Sequence, residues 1–342
     1  MKAAVFHGRR DVRIEDVPEP ADPASDEVVL EVLRAAICGT DASEWDHGPI
    51  LCRPGVVLGH EFVGRVAAVG ADVEVVRVGD RVVSGAGIAC GRCAWCRAGR
   101  TNLCADYRTL GFQVDGGLAE YVTSPASICR EVPDRVDDDA AAMTQPLAVA
   151  LHALSRVGLQ RHESVAVVGV GGIGSFIVAG AVHRAVDGRV VAVDIDSQRL
   201  ATAAALGANE VVDASGRDLG ELLLELTDGL GFDVVIEATG TAHAPAAAIR
   251  GARRGARVLL VGLHGAPCEL ELTPMILREV DVLTTVAHIC DTDIPAALAL
   301  LAESSVASVT AGPRIPLDEL VAEGLRPLAD RRATGKILVA PR

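Results

Sequence analysis

The chain has 342 residues, more than one hydrophobic core usually holds, which indicates two domains. Half of the residues are apolar, 3% are aromatic and 23% are charged, a composition that is typical of a globular enzyme and excludes a disordered chain. The net charge of -14 argues against a nucleic-acid partner, because no basic block offsets it. The N-terminus does not have the pattern of a signal peptide and no apolar run reaches membrane-spanning length, so we expect a cytoplasmic protein with no membrane partner.

The N-terminal third of the sequence predicts a β-rich region. Residues 1–35 alternate apolar and polar side chains with prolines between the runs, which is typical of antiparallel strands such as the one expected over residues 27–32. A polar loop containing Trp45 and His47 is predicted next, followed by a second β-rich stretch over residues 56–83. No helix is expected before residue 135.

The cysteines form the strongest local motif. Nine cysteines, an odd number unevenly spread, are typical of metal ligands and buried thiols rather than of a disulfide framework. Four of them follow the spacing C-x2-C-x2-C-x7-C. Four thiolates so close along the chain can complete a tetrahedral zinc site that has no open position. We therefore predict a structural, non-catalytic zinc held by Cys90, Cys93, Cys96 and Cys104.

The second half of the sequence changes character. A helical pattern begins at residue 138, and Pro146 marks a break in it or a new first turn. From residue 164, short apolar runs alternate with alanine-rich helical patterns, which predicts a parallel sheet covered by helices. A tail of strand-like runs after about residue 308 is expected to rejoin the first region. Buried strands are expected at residues 165–168, 190–193, 233–236 and 257–261, with further candidates at 210–212 and 282–286.

A glycine-rich turn follows the first of these buried strands. The run Gly169-Val170-Gly171-Gly172-Ile173-Gly174 has the pattern G-x-G-x-x-G, and Asp194 ends the next strand twenty residues beyond the last glycine. The first glycine of this pattern allows the tight bend, the second lets the backbone approach a pyrophosphate and the third lets the helix pack on the strand. A carboxylate at Asp194 would accept hydrogen bonds from the adenosine ribose and repel a 2′-phosphate. The motif predicts a site that prefers NAD over NADP, with Arg199 as the nearby cation that would soften this preference.

Four motifs in this order resemble the zinc-containing alcohol dehydrogenases of the medium-chain dehydrogenase/reductase superfamily. They are the run A-I-C-G-T-D at residues 36–41, the pattern G-H-E-x2-G-x5-G-x2-V at 59–73, the four-cysteine motif and the dinucleotide fingerprint. The first run and residues 99–104 are similar to the threonine dehydrogenases, and residues 146–153 to the polyol and butanediol dehydrogenases.

The resemblance covers nearly the whole chain and implies an α/β fold. In that fold a Rossmann doubly wound parallel sheet is inserted in a GroES-like, β-rich catalytic domain. The expected domains are residues 1–146 for the catalytic domain with its zinc lobe, 147–287 for NAD binding and 288–342 for the return to the catalytic domain.

The resemblance also implies a catalytic zinc. Cys38 and His60 match its first two ligands, and the open position would take the substrate oxygen. The zinc would act as a Lewis acid on an alcohol that gives hydride to the nicotinamide. Thr40 matches the family hydroxyl that takes the alcohol proton, while Asp41 and Glu61 match carboxylates behind the ligands, Asp41 orienting the imidazole.

Two positions depart from the family pattern. The polyol branch has a glutamate as third zinc ligand directly before a Pro-Leu pair, where this chain has Gln145, whose neutral amide is a poor zinc ligand. Glu61, His47, Cys52 or water would complete the shell instead. Ser43 stands where the branch usually has a relay histidine, so either the relay is shortened or His47 or solvent replaces it.

These features favour a zinc-dependent dehydrogenase that transfers hydride between NAD(H) and a secondary alcohol or ketone. The expected substrate is a small polar polyol, amino alcohol or cyclitol-like compound, and the expected assembly is a homodimer or homotetramer. One alternative keeps the fold and cofactor but reduces an activated C=C, C=N or C=O bond without catalytic zinc. A third hypothesis is a dinucleotide-binding protein without catalysis. Zinc content separates the first two hypotheses, and NADH binding without turnover would indicate the third.

Overall fold

The computed structural model describes all 342 residues, which divide into two compact units. The first comprises Met1–Ala148 and His288–Arg342, and the second comprises Val149–Ala287. None of the helices combines the length and the apolar character that crossing a bilayer requires.

The chain before residue 144 forms mainly short strands. Their runs of valine, alanine and leucine suit half-buried pleated surfaces. The elements are β1 (Lys2–Gly8), β2 (Asp11–Asp16), β3 (Glu27–Ala36), α1 (Gly39–His47), β4 (Val56–Val57), β5 (Glu61–Val69), β6 (Arg81–Ser84), β7 (Gly87–Ile88), α2 (Ala94–Arg97), β8 (Arg108–Thr109), β9 (Tyr121–Pro125), β10 (Cys129–Glu131) and α3 (Asp138–Ala142).

From residue 144 to residue 287 helices alternate with strands. The strands are continuous apolar runs because both faces of a parallel sheet are covered. The elements are α4 (Thr144–Val157), β11 (Ser164–Val168), α5 (Gly172–Arg184), β12 (Arg189–Asp194), α6 (Ser197–Ala205), β13 (Glu210–Asp213), α7 (Leu219–Glu225), β14 (Phe232–Glu237), α8 (Ala244–Gly251), β15 (Ala252–Leu260), α9 (Leu272–Ile276) and β16 (Asp281–Thr284).

The last segment returns to the first unit. Its final strand pairs antiparallel with β3, Leu338 lying opposite Ala36. The elements are α10 (Cys290–Glu303), α11 (Val306–Thr310), β17 (Ala311–Pro316), α12 (Arg326–Ala329) and β18 (Lys336–Ala340).

The first unit is built on a large sheet with strand order β10-β6-β5-β3-β18-β17, to which β9 adds by pairing with β3. A smaller sheet has the order β2-β1-β4. The hydrophobic core of the first unit includes four fully buried side chains, Phe6, Leu30, Phe62 and Leu118.

The second unit contains a six-stranded parallel sheet with the order β13-β12-β11-β14-β15-β16. The chain starts at β11, runs outward to β13 and then crosses to β14 on the other side of β11. The strand order therefore reverses between β11 and β14, and the carboxyl ends of strands at such a switch point form the crevice where α/β sheets bind ligands.

One expectation about the first unit is wrong. Trp45 and His47 lie in the helix α1, not in a polar loop, so a helix does precede residue 135. The buried positions of α1 include Asp41 and Glu44 as well as Ala42 and Trp45. Because two of the four inward-facing side chains are acidic, the apolar periodicity that normally reveals a helix is missing from the sequence.

Candidate metal centres and cofactor site

The four cysteines of the zinc motif lie together, and we call them the four-cysteine cluster. Their sulfur atoms are all within 4.8 Å of one another, and those of Cys93 and Cys96 are 3.5 Å apart. The corners of a zinc tetrahedron with Zn–S bonds of about 2.3 Å would be about 3.8 Å apart. The Cys104 sulfur accepts hydrogen bonds from the backbone N–H groups of Cys90 and Asp106, at 3.2 and 3.3 Å. Backbone N–H donors lower the pKa of Cys93 to about 6, which favours its thiolate, whereas desolvation and the hydrogen bond with Cys93 raise the pKa of Cys96 to about 12. The cluster fits a closed structural zinc site.

A second cluster is assembled by strand pairing. In the antiparallel pair of β3 and β5, Ala36 lies opposite Glu61. Cys38, two residues after Ala36, and His60, which directly precedes β5, therefore emerge at the same end of the sheet. The ligand atoms of Cys38, His60 and Glu61 lie within 4.8 Å of one another, and we call these three residues the Cys38 cluster. One thiol, one imidazole and one carboxylate are a ligand set that suits Zn²⁺.

The first turn of α1 supports this cluster. The fully buried Asp41 accepts a hydrogen bond from the backbone N–H of Cys38 at 2.9 Å, and its other carboxylate oxygen lies 3.4 Å from Nδ1 of His60. The Thr40 hydroxyl accepts a hydrogen bond from the Cys38 thiol at 3.6 Å. Burial works to lower the pKa of His60, but the charges of Asp41 and Cys38 outweigh it and raise that pKa well above its usual value. Asp41 therefore lies where it can orient the imidazole.

Lys336 is a member of the site that the sequence analysis missed. Its ammonium lies 2.5 and 2.7 Å from the two carboxylate oxygens of Glu61, and the two side chains are only 9% and 1% exposed. Burial works to lower the pKa of Lys336, but the negative charges of Glu61 and Cys38 outweigh it and raise the pKa. One signal was available, since Lys336 is one of only two lysines in the chain. The charge of Glu61 is thus matched by a buried cation.

Two of the alternative ligands, His47 and Cys52, do not have their ligand atoms in this cluster. Gln145 is half-buried in the first turn of α4, and Ser43 is exposed on α1. His47 is exposed and lies 3.6 Å from its neighbour Asp46. The buried Cys52 donates a hydrogen bond to the carbonyl of Gly111 at 3.4 Å. Of the alternatives for the third ligand, Glu61 is the one whose ligand atom lies with those of Cys38 and His60.

The glycine turn after β11 has the geometry of a phosphate cradle. Gly169 has a φ of +84°, and a Cβ there would lie 2.6 Å from the side chain of Thr239. A Cβ on Gly174 would lie 1.9 Å from the Gly169 carbonyl, so these two glycines make the bend and the close helix packing. A Cβ on Gly172, the first residue of α5, would meet nothing within 4 Å. The backbone at the start of α5, which continues through Ile173, is therefore open to an anion.

Asp194 lies beside this turn at the end of β12. Its carboxylate is 7% exposed and accepts hydrogen bonds from the backbone N–H groups of Val170, Ile195 and Asp196 at 2.8 to 3.1 Å. A guanidinium nitrogen of Arg199 lies 4.0 Å from the carboxylate and 3.6 Å from where a Cβ on Gly171 would be. Asp194 therefore fixes the conformation of the glycine turn.

The chain is similar to known dehydrogenases over most of its length. A family model described as alcohol dehydrogenase GroES-like domain matches residues 24–134, and one described as zinc-binding dehydrogenase matches residues 172–303. A sorbitol dehydrogenase of Bacillus subtilis strain 168 is 36% identical over 267 residues, which cover 77% of this chain and 75% of the relative. An L-threonine 3-dehydrogenase of Anaeromyxobacter sp. strain K is 37% identical over 267 residues, 77% of this chain and 76% of the relative.

A solved structure of a zinc-binding dehydrogenase from Sinorhizobium meliloti 1021, bound to NADP, covers 99% of both chains with a TM-score of 0.90 and 32% identity. The α/β fold expected from the motifs, a parallel Rossmann sheet with a GroES-like β-rich domain, is confirmed. The chain belongs to the zinc-containing alcohol dehydrogenase family of the medium-chain dehydrogenase/reductase superfamily, within which its relatives include polyol and threonine dehydrogenases.

Proposed function

We propose that the protein is an NAD-dependent zinc dehydrogenase that interconverts a secondary alcohol and a ketone, with a small polar polyol, amino alcohol or cyclitol-like substrate. The observation that carries this proposal is the Cys38 cluster, a zinc-type ligand set whose ligand atoms lie within 4.8 Å of one another. The polar substrate class is supported by the sorbitol and threonine dehydrogenases among the relatives.

The residues around the Cys38 cluster have separate tasks in this proposal. Cys38, His60 and Glu61 would hold the zinc, which when bound supplies Lewis-acid polarisation of the substrate oxygen. Asp41 keeps the His60 ring oriented through its contact at 3.4 Å. Thr40 takes the alcohol proton, since its hydroxyl lies beside Cys38.

Ser43 completes a shortened proton path. Thr40 and Ser43 are three residues apart on α1, and side chains at this spacing are neighbours on a helix surface. Thr40 is half-buried whereas Ser43 is exposed. Ser43 thus connects Thr40 with solvent in place of the relay histidine that the polyol branch carries.

For the cofactor we propose NAD in preference to NADP. The buried carboxylate of Asp194 would repel a 2′-phosphate, and at close range such repulsion is worth a few kcal/mol before screening. Arg199 at 4.0 Å from Asp194 reduces this discrimination, and one structural relative was solved with NADP bound. Asp194→Gly should shift the ratio of kcat/KM values toward NADP by about tenfold or more, and equal kcat/KM for both cofactors in the unaltered protein would contradict the proposal.

A reductase without catalytic zinc is the second candidate. Two observations favour it. Gln145 is neutral where the polyol branch has a glutamate ligand, and Lys336 already neutralises the carboxylate of Glu61. Metal analysis of protein purified without added zinc, beside a screen of cofactors, alcohols and ketones, separates the two. Two zincs per chain with NAD-dependent alcohol oxidation support the dehydrogenase, whereas one zinc with full turnover supports the reductase.

A further inference from the structure

A buried carboxylate to which the proposed function gives no task lies on α1, three residues after Asp41. Glu44 is fully buried. Its Oε2 accepts a hydrogen bond from the backbone N–H of Ile50 at 2.9 Å, and its Oε1 accepts one from the backbone N–H of Leu51 at 2.6 Å. A buried carboxylate is costly unless hydrogen bonds replace its water, and here both oxygens bind the chain that directly follows α1. Glu44 therefore fixes residues 48–52, which we call the tethered loop.

The tethered loop is closely fitted to Glu44 at its base but apolar and exposed at its tip. A Cβ on Gly48 would lie 2.3 Å from the carbonyl oxygen of Glu44 and 2.7 Å from its Oε2, so only a glycine lets the loop pass this close. At the tip, Ile50 and Leu51 are 62% and 48% exposed. An adjacent pair of exposed apolar side chains that the fold holds in place indicates contact with a ligand.

The other side of the tethered loop is attached to the chain that packs on His60. The side-chain amide of Gln113 donates a hydrogen bond to the carbonyl of Leu51 at 2.9 Å, and the N–H of Arg53 donates one to the carbonyl of Phe112 at 3.1 Å. Phe112 is 7% exposed, and its ring centroid lies 4.8 Å from that of His60. The loop is thus joined through one short segment to an imidazole of the proposed zinc site, where its tip can border a bound substrate.

We propose that Glu44 is a positioning residue, which holds the tethered loop so that Ile50 and Leu51 form an apolar wall beside the Cys38 cluster. The wall favours a secondary alcohol whose far end, beyond the reacting carbon, is a methyl or another apolar group. This inference rests on the proposed function and narrows its substrate class, since a polyol with a hydroxyl on every carbon gains nothing from such a wall. An apolar contact of this kind is made in the ground state and the transition state alike, so it acts on KM rather than on kcat.

Two alcohols with the same carbon skeleton test the wall. Butan-2-ol and butane-1,3-diol each have one secondary hydroxyl group, and their far carbon is a methyl group in the first and a hydroxymethyl group in the second. In Leu51→Ser, KM for butan-2-ol should rise about fivefold, because the methyl group loses its apolar contact. KM for butane-1,3-diol should change less than about twofold, and kcat for both alcohols should stay the same. Leu51 is exposed, so this variant should keep its fold.

The role of Glu44 is measured without turnover. In Glu44→Gln the side-chain amide can accept only one of the two N–H bonds, so hydrogen exchange at the backbone amides of Ile50 and Leu51 should become about tenfold faster. KM for butan-2-ol should rise as it does in Leu51→Ser. Glu163→Gln changes another buried carboxylate, which accepts a backbone hydrogen bond in the second unit, and is the matched control. It should leave both exchange at the loop tip and KM unchanged.

The other outcomes overturn the proposal. Unchanged exchange at the loop tip in Glu44→Gln would show that the carboxylate does not hold the loop. Equal changes of KM for the two alcohols in Leu51→Ser would show that the loop is not an apolar wall. A lower kcat and melting temperature in Glu44→Gln, without a change of KM, would show a merely structural role.

Failure of the proposed function is recognised separately. If the unaltered protein oxidised other alcohols but neither of these two, the substrate class named here would be wrong while the proposed function stood. If it oxidised no alcohol at all, the proposed function would fail with it, and the exchange measurement would still decide whether Glu44 holds the loop.

Discussion

The ligands of the four-cysteine cluster come from one short excursion of the chain, Cys90 to Cys104, whereas those of the Cys38 cluster come from the flanks of two paired strands. The first cluster consists of sulfur atoms alone. The second has one sulfur and a carboxylate that a buried lysine already neutralises. Metal affinity follows the charge and softness of the ligands, so the two clusters should differ in how tightly they hold zinc. In the proposed function, zinc in the four-cysteine cluster would stabilise the fold, and zinc in the Cys38 cluster would keep a position open for the substrate.

The largest effect is expected from Cys96→Ser. Removal of one thiolate from a closed site should cost about one zinc per chain and lower the melting temperature by roughly 10 °C, because the zinc stabilises the folded lobe. Zinc analysis and thermal melts check this. Cys268→Ser, a half-buried cysteine outside both clusters, is the control. Full zinc content and unchanged stability in Cys96→Ser would show that the four-cysteine cluster is not a structural zinc site.

The next effect concerns Lys336. In Lys336→Met the carboxylate of Glu61 loses its buried cation, which should destabilise the zinc-free protein by about 3–5 kcal/mol. The freed carboxylate should also bind zinc more tightly, by at least about tenfold, so that added zinc recovers much of the lost stability.

Chemical denaturation with and without zinc, and zinc competition with a chelator, measure these two changes. Lys2→Met removes the only other lysine, whose partner Asp318 is 60% exposed, and should leave the denaturation midpoint unchanged. If Lys336→Met neither destabilised the zinc-free protein nor tightened zinc binding, the ion pair would have no part in the metal site.

A smaller effect is expected from Gln145→Glu. A Cys38 thiolate, a neutral His60 and a Glu61 carboxylate paired with the Lys336 cation leave a charge of about +1 with Zn²⁺, and a glutamate at position 145 would bring it to about zero. The zinc dissociation constant should fall by about tenfold, and the occupancy of protein as purified should rise. Gln198→Glu adds the same charge at an exposed position of α6 and should leave occupancy unchanged. Equal zinc retention in Gln145→Glu and in the unaltered protein would show that this position does not act on the metal.

Much of the fold could be predicted because its signals are local. The runs at 165–168, 190–193 and 233–236 lie in parallel strands, and so does the run at 257–261 except for Val261, which follows the end of β15. The glycine pattern lies in the predicted strand-turn-helix. The cysteine spacing likewise places its sulfur atoms together. In each case the residues that interact are also near in sequence.

The parts that sequence patterns missed depend on distant pairing or on buried charge. Lys336 lies 275 residues from Glu61 and reaches it only because β18 pairs with β3. The helix α1 buries two acidic side chains, so the sequence lacks the apolar periodicity that would predict a helix there. None of these features has a signature within a short window.

In the proposed function, catalysis depends on a weakly held zinc in the Cys38 cluster, distinct from the zinc of the four-cysteine cluster. The most direct measurement follows zinc content and alcohol oxidation together while a mild chelator such as dipicolinate is applied to the purified protein. We predict that about one zinc per chain is lost, that activity falls in proportion, and that added zinc restores both while the fold remains intact. Undiminished turnover in protein shown to contain one zinc per chain would contradict the claim and favour the metal-independent reductase.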